Sequence, residues 1–167
     1  MRLNHQINVF LINDKWLDKN FFNTKKKIDK FIYMLSAATL KRFFSISKYK
    51  NSKKLETNIN FILADDKFLK KLNTNFLNKK KATNVLSFSN DNFSKNKDNF
   101  LGEVFLSYET CLKEAIKFKI PNKDRVGHLI VHGILHLLGY DHKTKLEEKK
   151  MEDIESKILN SLNINYY

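Results

Sequence analysis

The sequence predicts an α+β domain with one main mixed sheet of about four strands, helices packed on it, and a central helix carrying a metal site. Three observations predict it. Four short runs rich in β-branched and aromatic residues, Ile7 to Ile12, Asn58 to Ala64, Asn84 to Phe88 and Leu101 to Ser107, read as strands. The helical segments do not alternate strictly with them, as they would in a wholly parallel α/β sheet. One helix, starting after Pro121, is apolar nearly all round, which marks an element buried at the centre.

The first strand ends at Asn13-Asp14, and Trp16 and Leu17 are expected to pack just beyond it. Thr24 is placed to cap a helix running to about Leu40, with Ile28, Phe31, Ile32, Leu35 and Ala38 forming one apolar face. A lysine-rich connection leads to the second strand, after which Asp65 or Asp66 caps a short helix through Leu72. Two adjacent aspartates also have the form of a metal pair, but capping accounts for one and no further ligand lies near in sequence. Leu77 to Lys81 reads as a loop before the third strand. Ser89 to Asn99, mostly Asn, Asp, Ser and Lys, reads as an exposed, mobile loop before the fourth. Thr110 to Phe118 is a short amphipathic helix with Leu112, Ala115, Ile116 and Phe118 as candidate core residues. The central helix carries Val126, Leu129, Ile130, Val131, Ile134, Leu135, Leu137 and Leu138. Thr144-Lys145-Leu146-Glu147 has the form of a capping box and opens a last helix through about Leu159.

A chain of 167 residues is read as a single domain, 1–167, able to bury roughly two-thirds of its unfolded surface. Cys111 is the only cysteine, so no internal disulfide forms. The amino terminus lacks the pattern of a secretion signal, and no apolar run approaches the ~20 residues that span a bilayer. These features predict a soluble, cytoplasmic protein with no membrane partner. The net charge of +13 points to a polyanion, but lysine supplies 28 of 31 basic residues beside 20 asparagines. Compositional drift toward AT-rich codons produces that bias unaided, so the distribution of charge is more informative than its sum. No acidic residue lies between Asp29 and Glu56, where Lys30, Lys41, Arg42, Lys48, Lys50, Lys53 and Lys54 are interleaved with Phe43, Phe44 and Tyr49. Basic groups track phosphates and aromatic rings stack on unpaired bases, so this segment is a candidate RNA contact; a solvated helix end and loop is the competing reading.

Four of the five histidines fall between Asn122 and His142. His132 and His136 stand at i and i+4 of one helix, ~6 Å apart on one face, a spacing that suits two ligands of one tetrahedral ion. Gly139 reads as the residue after the helix end, where positive φ costs glycine nothing, and the reversed chain brings His142 back as a third ligand. Three protein ligands leave a fourth position open, the mark of a catalytic zinc, one per chain. His128 is ~12 Å of helix rise from His136, too far to share the ion but placed to orient a ligand or touch substrate. A metal that acidifies water and offsets charge on oxygen serves phosphodiester or peptide hydrolysis. The position after the first ligand separates them: His-Glu-x-x-His proteases carry a glutamate there as general base, whereas Gly133 has no side chain, which leaves metalloprotease a minor alternative. Asp141 is placed to orient an imidazole, to assist water, or to cap the turn.

The run His132-Gly133-Ile134-Leu135-His136-Leu137-Leu138-Gly139-Tyr140-Asp141-His142 resembles the His-Gly-x-Leu-His-Leu-x-Gly-Tyr-Asp-His signature of the YbeY family of bacterial endoribonucleases. Ala82 to Phe88 resembles that family's Pro-Thr-Asn-Val-Leu-Ser-Phe, and Leu101 to Ser107 its Leu-Gly-Asp-Ile-x-Ile-Ser strand; the resemblance extends from about Asn58 to Leu159. It implies a metal cleft walled by the sheet edge and loops, with zinc on His132, His136 and His142, and these residues with Asp141 as the catalytic set. It also implies a single-strand-preferring endoribonuclease in small-subunit ribosomal RNA maturation and ribosome quality control, whose partners are ribosomal RNA, the small subunit and its assembly factors. Lys79, Lys80 and Lys81, just before the strand that resembles a site wall, are then candidate substrate contacts, with Lys48 and Lys50. One departure stands out: the arginine of the family's Tyr-Arg-Gly-Lys falls on Leu77, so a planar cationic clamp is replaced by an apolar side chain. A ribosome-assembly binding module with a structural zinc and little turnover is the alternative that this departure opens.

Overall fold

A computed structural model of the chain describes residues 5–46, 56–90 and 99–166. Strand β1, Gln6–Leu11, runs into a short 3-10 turn, Asp14–Leu17, where the Asn13 side chain accepts from the Lys15 N–H. Trp16 is fully buried and donates its indole N–H to the Ala64 carbonyl at 2.9 Å, which joins this turn to the end of β2, Asn58–Ala64. Between them α1, Lys25–Ile46, is capped at Thr24 and runs past the expected end at Leu40. Its buried face of Ile28, Ile32, Leu35, Ser36, Thr39, Leu40 and Phe43 keeps helical spacing one turn further, while Ala38 is only half-buried.

Asp65 is the cap of α2, Asp66–Leu77, accepting from the Phe68 N–H at 2.8 Å. Asp66 has different work: it accepts from the Ser107 and Thr110 hydroxyls, both at 2.5 Å, and so ties α2 to the end of β4. Helix α2 runs to Leu77 rather than Leu72, and the turn comes at Asn78, whose φ of 54° is one of the left-handed conformations asparagine tolerates. Strand β3 is Val85–Ser89 and β4 is Phe100–Ser107. Helix α3, Tyr108–Phe118, follows at once and begins two residues before the expected Thr110. Its buried stripe is Tyr108, Cys111 and Ala115, which turns the expected core residue Ile116 outward, 69% exposed. Helix α4 is Asn122–Leu137, and α5, Lys145–Ser161, opens with the expected capping box of Thr144 and Glu147.

The strands form one mixed sheet in the order β1-β2-β4-β3, with β1, β2 and β4 parallel and β3 antiparallel on the edge. Alternation along β2 and β4 divides the core between two faces. Ile59, Phe61, Leu63, Leu101, Val104 and Leu106 face α1 and α4, whereas Ile62, Ala64 and Phe105 face Leu69 of α2. Helix α4 lies against β3, β4, α1, α3 and α5, and Val126, Leu129, Ile130, Val131, Ile134 and Leu135 are buried on several of its sides. That makes it the central element its composition predicts. Lys48, Tyr49, Lys50, Lys53 and Lys54 of the candidate RNA segment, and residues 91–98 of the polar loop, lie outside the described residues. No helix among the described residues is long and apolar enough to cross a membrane.

Candidate metal centre

Helix α4 reaches the sheet closely because it carries Gly133 where it crosses β3 and β4. A Cβ there would stand 2.7 Å from Val104 Cγ1 and 3.2 Å from Ser87 Oγ. Position 133 therefore faces the sheet with no room for a side chain, and the glutamate of a His-Glu-x-x-His protease has no place in this packing. His132 and His136, which flank Gly133 on the same helix, line one cleft with Val85, Leu86 and Ser87 of β3. At Gly139 the chain turns with φ 88°, and the Tyr140 ring packs edge-on against Phe43 at 5.8 Å, which anchors the turn that returns His142.

Ligand atoms of His132, His136 and His142 lie within 4.8 Å of one another. Their orientation is set from behind. The Tyr140 carbonyl is 2.9 Å from His136 Nδ1 and a Glu155 oxygen is 2.9 Å from His132 Nδ1, so each ring donates its Nδ1 proton outward. Both Nε2 atoms then present lone pairs, only 3.0 Å apart. Two facing lone pairs at that distance repel unless a cation lies between them, so the donor set fits a metal such as zinc. Burial first, then the neighbouring His132 and His142 rings, pushes the His136 imidazole down to about 4, which keeps it unprotonated at neutral pH.

Glu155 was not among the residues singled out in the sequence. It extends from α5 and accepts from His132 on one oxygen and from His128 Nε2 at 3.3 Å on the other. Burial raises its carboxyl, but the hydrogen bonds from His128 and His132 outweigh that and bring it to about 2. The second anchor, Arg125, is 1% exposed; it donates to His128 Nδ1 at 3.0 Å and to Glu114 at 2.7 Å. Because a guanidinium only donates, His128 carries its proton on Nε2 and hands it toward Glu155. Glu114 also accepts from Asn84 at 3.1 Å, so one partly buried chain of polar groups runs from the start of β3 to α4. His128 thus meets His132 through Glu155, one hydrogen bond removed from the three-histidine group.

The histidines open on a cleft of about 480 Å³ lined by Leu77, Lys79, Lys81, Thr83, Asn84 and Ser87, among others. Lys80 is exposed in the same loop. Lys48 and Lys50 lie outside the described residues, so nothing relates them to the cleft. The Asp141 carboxylate accepts from the His142 N–H at 2.8 Å and pairs with Lys143 at 2.7 Å, so both of its oxygens are engaged in the turn while other groups orient the imidazoles. Leu77, 49% exposed, lines the cleft without a donor. A second cavity of about 430 Å³ on the α5 side shares His132, His142 and Asn84 with the first and is lined by Glu148, Glu152 and Glu155. The cationic wall thus lies on the α2 side of the histidines and the acidic wall on the α5 side.

A family model described as Endoribonuclease YbeY matches residues 20–163. An Endoribonuclease YbeY of Buchnera aphidicola is 38% identical over 147 residues, covering 88% of this chain and 87% of the relative. One of Wolbachia is 39% identical over 149 residues, covering 89% and 93%, and one of Ehrlichia chaffeensis is 36% identical over 159 residues, covering 95% and 93%. A solution structure from Thermotoga maritima matches the fold with a TM-score of 0.51 at 21% identity, over 95% of this chain and 92% of that one. With the family model spanning most of the chain and three relatives above 35% identity over nearly their whole length, the chain belongs to the YbeY endoribonuclease family.

Proposed function

We propose that the chain is a zinc-dependent, single-strand-preferring endoribonuclease of the cytoplasm. In this reading it acts in small-subunit ribosomal RNA maturation and ribosome quality control, in contact with ribosomal RNA, the small subunit and its assembly factors. The observation that carries the reading is the set of three imidazoles, with ligand atoms within 4.8 Å, opening on a cleft walled by Lys79 and Lys81. When bound, zinc supplies an acidified water and offsets charge on a phosphoryl oxygen. The chain's own residues do the rest. Lys79 and Lys81 draw a phosphodiester to the histidines. Glu155 and the Tyr140 carbonyl hold two of the imidazoles with Nε2 inward. The acidic wall beyond His142 repels the backbone from the α5 side and favours entry from the α2 side. Leu77, in the place of an arginine, supports the second reading, a zinc-stabilised ribosome-assembly module that binds RNA and turns it over little.

Cleavage of an unstructured RNA by the purified protein, with and without chelator, tests both. Chelator-sensitive cleavage is the expected result, and tight binding without cleavage would leave the binding module. His136→Ala is the control: it should lower bound zinc, measured by elemental analysis, and cleavage together.

A further inference from the structure

The end of α2 carries an exposed phenylalanine that packing does not require. Phe76 is 65% exposed and immediately precedes Leu77, which lines the metal cleft. Beneath it lies a row of rings. Phe76 meets Phe88 of β3 edge-on at 5.3 Å, Phe88 meets Phe105 of β4 at 5.7 Å, and Phe105 stacks on Phe68 at 6.2 Å. One edge of Phe76 is thus braced by the core while most of its surface is open to water. We propose that Phe76 is a platform on which an unpaired nucleobase stacks as the strand's backbone enters the cleft. The proposal rests on the RNA-cleaving reading above and assigns its single-strand preference to a residue.

The neighbouring cations identify the occupant. Lys79 to Lys81 follow within five residues, and their loop is strapped to α2: Asn73 donates to the Lys81 carbonyl at 2.8 Å, the Lys79 N–H to the Asn73 carbonyl at 3.1 Å, and the Thr74 hydroxyl to the Lys79 carbonyl at 3.3 Å. A braced aromatic surface therefore stands one residue before Leu77 of the cleft wall, and the backbone that carries the exposed lysines is held against the same helix. Nucleotides present those two chemistries at the same spacing order, a flat apolar base beside a charged phosphate. In a duplex both faces of an internal base are already stacked on neighbours, so only a single strand offers a face to Phe76.

The test is binding of a fluorescently labelled single-stranded oligodeoxynucleotide to the zinc-loaded protein, with an abasic oligonucleotide of equal length as control. Phe76→Ala should weaken binding of the base-bearing strand roughly five- to hundredfold. The slope of log affinity against log salt should not change, because no phosphate contact is lost. Both proteins should bind the abasic strand alike. Phe76→Trp should keep its affinity and show new indole emission that the base-bearing strand quenches, against the constant background of fully buried Trp16. Unchanged affinity in Phe76→Ala, with wild type binding and cleaving single strands, overturns the platform alone and leaves the ring to a protein contact. An equal loss on the abasic strand also overturns it, since the ring then acts by shaping the lysine loop. If wild type neither binds nor cleaves single strands, the RNA-cleaving reading falls and the platform with it.

Discussion

Replacing Glu155 by Gln keeps the shape of the side chain behind His132 and removes its charge. In the native arrangement one carboxylate accepts from His132 at 2.9 Å and from His128 at 3.3 Å. A hydrogen bond to a charged acceptor contributes ~1.5–3 kcal/mol and a neutral one ~0.5–1.5, so the substitution costs about 1–3 kcal/mol across the two contacts. Part of that cost falls on the metal, because an imidazole whose far nitrogen donates to a carboxylate is the more basic ligand, and loss of such a partner typically lowers affinity about 10- to 100-fold. The amide has a second effect: its oxygen can still accept from His132, but its NH2 faces the Nε2 proton of His128, whose other nitrogen is held by Arg125. The Gln variant should therefore bind zinc about 10- to 100-fold more weakly in competition with a chromophoric chelator. Its cobalt derivative should show an altered visible spectrum as His132 turns. Glu155→Asp, too short to reach both rings, should lie between the two. Zinc affinity and cobalt spectrum equal to wild type in a folded Gln variant would refute the assignment of Glu155 as the group that positions His132.

Leu77→Arg should raise single-turnover cleavage of unstructured RNA by roughly a hundredfold, the scale of one well-aimed electrostatic contact, and affinity much less; no gain in an intact, zinc-loaded variant means that Lys79 and Lys81 already supply the charge or that the chain is not a nuclease. Gly133→Ala sets a Cβ 2.7 Å from Val104 Cγ1, so urea unfolding should show a loss of ~1–3 kcal/mol that Val104→Ala partly restores. Burial raises the Asp66 carboxyl, but the Ser107 and Thr110 hydroxyls outweigh it and hold the group below its ordinary value of 3.8. Its stabilisation is present above that value and lost as pH falls through the lower native one, so Asp66→Asn should flatten the fall in stability measured by urea titrations from pH 5 to pH 2.

Local rules placed the elements well where the relevant interactions are near in sequence. The i, i+4 spacing of His132 and His136, the stop at Gly139 and the capping box at Thr144 each depend on groups within a turn or two, and each appears in the structure. Boundaries moved where packing overrides propensity. Helix α1 continues to Ile46 because Leu40 and Phe43 are buried, and the face of α3 was misjudged at Ile116 because its stripe starts at Tyr108. Glu155 was legible in principle: it shares a helical face with buried Met151, Ile158 and Leu159, where an acid is unexpected. Arg125 carried a weaker signal, as one of three arginines among 28 lysines.

The sequence by itself determined the three-histidine group and the order of the elements, because both are written in short-range spacing. The fold determined what stands around the ligands. Only tertiary packing brings Glu155 of α5 within 2.9 Å of His132, or joins Asn84, Glu114 and Arg125 into one chain. It also shows what surrounds Gly133 and Asp141: β4 leaves no space for a Cβ at the first, and both oxygens of the second are engaged by groups of its own turn. Phe76 is the same kind of case. An aromatic at the end of an amphipathic helix looks like core until the sheet beneath it is seen to be filled by Phe88 and Phe105, which hold the last ring at the surface one residue before Leu77 of the cleft.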